Sequence, residues 1–134
     1  MAAKRDSRRE NWEDVRERLR IDDCDIWLFR ELYAVLANFA DKPQNSISRI
    51  GGGRISIPDD QGNDLGHFRQ VILEKYPDAA GLEVMRVATE INAILSRRSF
   101  GGEAFDEYFW TNAGFQRHED WLRIRELARA FLIR

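Results

Sequence analysis

The sequence predicts a mainly α protein, a single domain of five or six helices over residues 1–134 with one small β-hairpin. Three observations predict it. Apolar residues recur three and four apart along most of the chain, the spacing of one helix face. The 134 residues are 43% hydrophobic, which suits one core at the usual size of roughly 100–200 residues per domain. The exception is residues 46–57, where serine and isoleucine alternate on either side of Gly51, Gly52 and Gly53.

Residues 1–6 read as a frayed end. Ser7 and Glu10 have capping-box spacing, and Trp12, Val15 and Leu19 continue at helical spacing, so a first helix starts near Ser7. Asp22, Asp23 and Asp25 precede an apolar run and read as the acidic N-terminus of a second helix, where free N–H groups favour negative charge. That helix, from Ile26 to Phe39, is apolar nearly all round, which predicts a central position. Lys42-Pro43 stops it. Ser46–Ile50 and Arg54–Ile57 read as two strands around the glycines, and Pro58–Asp64 as a loop. Helices are predicted over Asp64–Tyr76, Ala79–Arg98 and Glu119–Ile133. A short aromatic helix is predicted over Glu103–Thr111, stopped by Asn112-Ala113-Gly114.

Composition excludes several function classes. No apolar run approaches the ~20 residues of a membrane span. The first six residues turn charged at once and offer no signal-peptide core. Cys24 is the single cysteine, so neither an intramolecular disulfide nor a cysteine-based zinc site can form within one chain. A cytoplasmic location is the expectation. Arginine outnumbers lysine 18 to 3, the bias of a GC-rich coding sequence, which points to a bacterial source and weakens any case that each arginine was selected for a bidentate contact. Net charge is −2, with acids concentrated at Asp22–Asp25, Asp59–Asp64 and Glu103–Glu107.

Motifs that could carry chemistry fail on their own requirements. A phosphate cradle needs a helix with Lys-Ser or Lys-Thr after its glycines; here Arg54-Ile55-Ser56-Ile57 follows. Asp59, Gln61 and Asn63 begin a calcium-loop pattern, but Asp64 stands where glycine is required and Gln70 where glutamate is. Asp22, Asp23 and Asp25 read as helix capping rather than as a magnesium site. Cys24 would need His67 or His118 to act as a nucleophile pair, and His118-Glu119-Asp120 lacks the second histidine of a zinc helix. No cofactor, metal or small-molecule substrate is expected, and catalysis is not predicted. The arginines of the first helix (Arg8, Arg9, Arg16, Arg18, Arg20) and the last (Arg117, Arg123, Arg125, Arg129) offer an alternative, a nucleic-acid-binding or adaptor protein of a phage or mobile element. Interleaved acids speak for solvated helix faces instead.

The stretches Glu107-Tyr108-Phe109-Trp110-Thr111-Asn112 and His118-Glu119-Asp120-Trp121-Leu122-Arg123 resemble those of small bacterial immunity proteins of contact-dependent growth inhibition systems. The resemblance is confined to the last quarter of the chain, and no functional residue transfers from it. It implies one-to-one neutralisation of a cognate protein toxin, expected to be basic and nuclease-like. The acidic clusters would steer such a partner. The expected partner surface combines Asp59, Asp60 and Asp64 with the hairpin tip from Arg49 to Arg54, and a second set is Asp22, Asp23 and Asp25.

Overall fold

Asn11 starts the first helix, α1 (Trp12–Leu19), by accepting the Asp14 N–H on its side chain. A computed structural model describes residues 10–50 and 54–133, so the proposed Ser7 start lies outside the described residues. Arg20 ends α1 in the left-handed region, φ 56°; its own amide donates to the Glu17 carbonyl and the Ile21 amide to the Arg16 carbonyl. A 3-10 turn at Asp23–Asp25 leads into α2 (Ile26–Ala40). Leu28, Phe29, Leu32, Val35, Leu36 and Phe39 are all buried there, so this helix is central as its sequence requires.

The β-hairpin is corrected. No described residue is in a strand. Pro43 opens α3 (Pro43–Arg49), and Ser56 caps α4 (Ile57–Lys75) by accepting the Asp59 N–H. Proline costs nothing in a first helical turn, so Pro43 both stops α2 and starts α3. Ile47 and Ile50, three apart, pack on the core along one side of a helix rather than alternating across a strand. Residues 58–64, expected as a loop, are the opening turns of α4, with Asp59 and Asp60 in the first turn. The hairpin tip, Gly51–Gly53, lies outside the described residues.

A 3-10 turn at Pro77–Gly81 joins α4 to α5 (Glu83–Arg98). The aromatic segment expected as a helix over Glu103–Thr111 is helical only as a 3-10 turn, Tyr108–Trp110. Asn112-Ala113-Gly114 is not a stop but a start. Thr111 accepts the Gly114 N–H and opens α6 (Asn112–Arg117), and His118 caps α7 (Glu119–Leu132). α2 packs most closely against α4 and α7. At the α7 end of the core, the Phe109 and Trp121 rings stack 4.7 Å apart, and Phe39 and Phe115 close on Trp121 from other sides. The Trp121 indole N–H donates to the Phe109 carbonyl (2.8 Å), so the polar edge of this buried ring is satisfied. No helix among the described residues is long and apolar enough to cross a membrane.

Candidate interaction face

The N-terminal end of α4 is fastened to the turn before α6. Asn112 accepts the Ile57 N–H (2.9 Å) and donates to the Ile55 carbonyl (3.0 Å), while Ser56 Oγ donates to the Trp110 carbonyl (2.5 Å). Trp110 in turn donates its indole N–H to the Arg98 carbonyl at the end of α5 (2.7 Å). Its ring lies so near Gly62 that a Cβ there would stand 3.1 Å from it. Three elements thereby meet at Trp110, and its exposed edge becomes the floor of a groove.

The groove wall is aromatic and acidic. Ser56, Asp59 and Asn63 line one side, and Ser99, Phe100, Phe105 and Glu107 the other. Phe100 is 91% exposed and Phe105 47%, their rings meeting edge to face at 5.7 Å. Tyr108 and Ile55 are also exposed. None of the described lining residues is cationic. Nearby Glu103 is neutralised by Arg97 (3.1 Å), which leaves Asp59 and Glu107 as the groove's own charges.

Behind the groove, Asp106 holds the loop in place. It accepts the Tyr108 N–H (3.0 Å) and a hydrogen bond from His118 Nε2 (3.0 Å). Burial works to raise the Asp106 carboxyl, but these hydrogen bonds and the nearby His118 outweigh it and hold the group below its ordinary value. His118 and Asp106 have the make-up of an acid–base pair. Neither ring nitrogen is free, however: Nδ1 accepts the Asp120 N–H, so Nε2 carries the proton that Asp106 receives. The pair fixes the start of α7 and offers no base to a substrate.

The expected site residues fall in three places. Asp59 faces the groove, with exposed Arg54 just before it in the chain. Asp60 and Asp64 lie one step round α4, and Asp64 is within electrostatic reach of Glu31 on α2. Burial first, then the charges of Asp60 and Glu31, push the Asp64 carboxyl up. Arg49 ties α3 to α2, donating to Asn38 Oδ1 (2.6 Å) and pairing with Asp41 (3.4 Å). Asp22, Asp23 and Asp25 sit at the far end of α4. Asp23 pairs with Arg16, while Asp25 is buried between Lys75 (2.8 Å) and the Tyr76 hydroxyl (2.6 Å). Asp22, Cys24 and Asp25 place ligand atoms within 4.8 Å of one another, but both Asp25 oxygens are already hydrogen-bonded, so its carboxylate is a structural ion pair. The bonds from Lys75 and Tyr76 hold the Asp25 carboxyl below its ordinary value.

The calcium-loop pattern lies inside the helix α4, where its spacing cannot wrap an ion. A helix does follow the three glycines, but α3 precedes them in place of the strand a phosphate cradle requires. Arg8 and Arg9 lie outside the described residues; most of the other terminal arginines are engaged. Arg18 lies beside Asp14 (3.7 Å), Arg123 beside Glu90 (3.5 Å), and Arg129 donates to the Ala40 carbonyl (2.6 Å). Arg125 is buried over the Phe115 ring, where desolvation first, then Arg129, lower its guanidinium pKa.

Phe100 and Phe105 are exposed rings that the sequence reading did not single out. One signal was present: Phe100 stands after the Arg97-Arg98 helix end and before Gly101-Gly102, so it belongs to no helical stripe. Comparison with family models, curated proteins and solved structures gives no match.

Proposed function

We propose that the protein is an immunity-type inhibitor that binds a basic cognate toxin in the bacterial cytoplasm, using the groove between α4 and residues 99–111 as its contact surface. The observation that carries this reading is Phe100. A phenylalanine at 91% exposure, backed by Phe105 and flanked by carboxylates without a cation among the lining residues, is a surface suited to burial against a positively charged protein. The aromatic rings supply the apolar anchor, and Asp59 and Glu107 steer the approach. An open groove without a free acid–base pair supports binding over catalysis.

The test is capture in the source cell with a photo-reactive side chain at Phe100, beside a second preparation carrying it at Arg123 on α7. The expected result is one basic protein joined at 100 and not at 123, whose toxic activity disappears when the inhibitor is added in equal amount. Nucleic acid joined at 123, or a captured protein still active in the saturated complex, overturns the proposal.

A further inference from the structure

The opposite end of the molecule carries a second groove, between α1 and α2. Trp12 comes from α1, and Ile26, Phe29 and Tyr33 from α2. The Trp12 ring meets Phe29 edge to face at 5.3 Å and Tyr33 at 5.8 Å, so one continuous aromatic wall lines the cleft. Its volume, about 440 Å³, falls in the range of small-molecule sites. Among the described residues, the only charged ones that line it are Arg16 and Arg30.

These two guanidinium groups stand where the cleft opens into a shallower hollow beside the exposed Trp27. Arg16 already holds one carboxylate there, that of the exposed Asp23, which shows that an anion fits at this rim. Arg30 is exposed and has no ion-pair or hydrogen-bond partner among the described residues. The site therefore joins apolar walls to one engaged and one available guanidinium, with no carboxylate in the cleft itself. That chemistry matches a molecule with an apolar body and a single anionic group at one end.

We infer that the α1–α2 groove binds a small amphiphilic carboxylate, its apolar chain against Trp12, Phe29 and Tyr33 and its carboxylate at Arg30. The inference is independent of the acidic groove, which lies at the other end of α4.

The experiment titrates the whole protein with decanoate, decanol and decyltrimethylammonium below their aggregation concentrations, following the indole N–H resonances by NMR. Decanoate is expected to shift the Trp12 signal saturably and to bind about tenfold more tightly than the cation, a difference of about 1.4 kcal/mol. Arg30→Gln, on an exposed position, is expected to remove that preference while leaving thermal unfolding unchanged. Three results overturn the inference: no saturable shift at Trp12, equal affinity for the cationic and anionic chains, or an anion preference that survives in Arg30→Gln.

Discussion

The two acidic clusters, Asp22–Asp25 and Asp59–Asp64, look alike in the sequence, and the structure sets them at opposite ends of α4 in different surroundings. Both carry aspartates beside a helix end, and both are tied to distant residues by side-chain hydrogen bonds. The helix has 19 residues, about 28 Å of rise, so the two ends cannot share one small partner. At the Lys75 end Asp25 is spent internally and Asp23 pairs with Arg16, while Asp22 stays exposed. Asp25 is buried, and both of its carboxylate oxygens already accept hydrogen bonds, from Lys75 and Tyr76. At the Ile57 end Asp59 and Glu107 keep to the surface and stand beside Phe100, which is almost fully exposed, and the half-exposed Phe105. Acids favour any helix N-terminus by a few tenths of a kcal/mol, so charge alone separates nothing. What separates the ends is the company of the exposed rings: Trp27 stands beside Arg16 and Arg30, whereas Phe100 and Phe105 stand beside Asp59 and Glu107 with no cation among the described lining residues.

The largest change that would break this comparison is Gly114→Ala. A Cβ at 114 would stand 1.9 Å from the Tyr108 carbonyl oxygen, so the Tyr108–Trp110 turn must move. Loss of about 3 kcal/mol of unfolding free energy is expected in a denaturant titration. Partner affinity should fall with it, while the Trp12 groove, at the other end, keeps its ligand response. Equal damage to both sites would show that the two ends are not independent.

Phe100→Ala combined with Phe105→Ala sharpens the same point. Both rings are largely exposed, so stability should stay within about 0.5 kcal/mol of the parent. Partner binding, read by calorimetry, is expected to weaken by about 2 kcal/mol.

Asp25→Asn probes the far end through pH. Because Lys75 and Tyr76 hold the Asp25 carboxyl down, its contribution is complete above the ordinary carboxylate value of about 3.9 and fades as pH falls through the lowered one. The variant should melt below the parent at pH 7, and the gap should close in strong acid. Partner binding should not change.

Asp64→Asn acts in the opposite sense and is the smallest effect. The raised Asp64 carboxyl means that the folded protein binds the proton more readily, so stability falls as pH rises through the window just above the ordinary value. Removing the like-charge pair with Asp60, four residues back on one helix, should raise stability by about 0.3 kcal/mol at pH 7. That gain should vanish at pH 3 in parallel melts.

Much of the helical frame was legible in the sequence because its apolar stripes are long. Ile26–Phe39 reads as central from composition, and six of its side chains are buried. Residues 46–57 were misread because a short Ser-Ile alternation fits both periods, and tertiary packing of Ile47, Ile50 and Ile57 decided for helix. Local signals oppose the hairpin: Pro43 suits a helix start, and Ser56 stands three residues before Asp59. For the site, Asp59 was found because acids cluster visibly. Phe100 and Phe105 were not, since exposure depends on what the rest of the chain fails to cover, which no local pattern records. The fate of Asp25 was equally hidden, as its partners lie 50 and 51 residues away.

The most direct test of the central claim is hydrogen exchange on the protein alone and in complex with its captured partner. New protection over residues 55–63 and 99–111, with residues 12–33 unchanged, is the result the account predicts. Protection confined to α1 and the outer side of α7, leaving the segment around Phe100 exchanging as in the free protein, would contradict it.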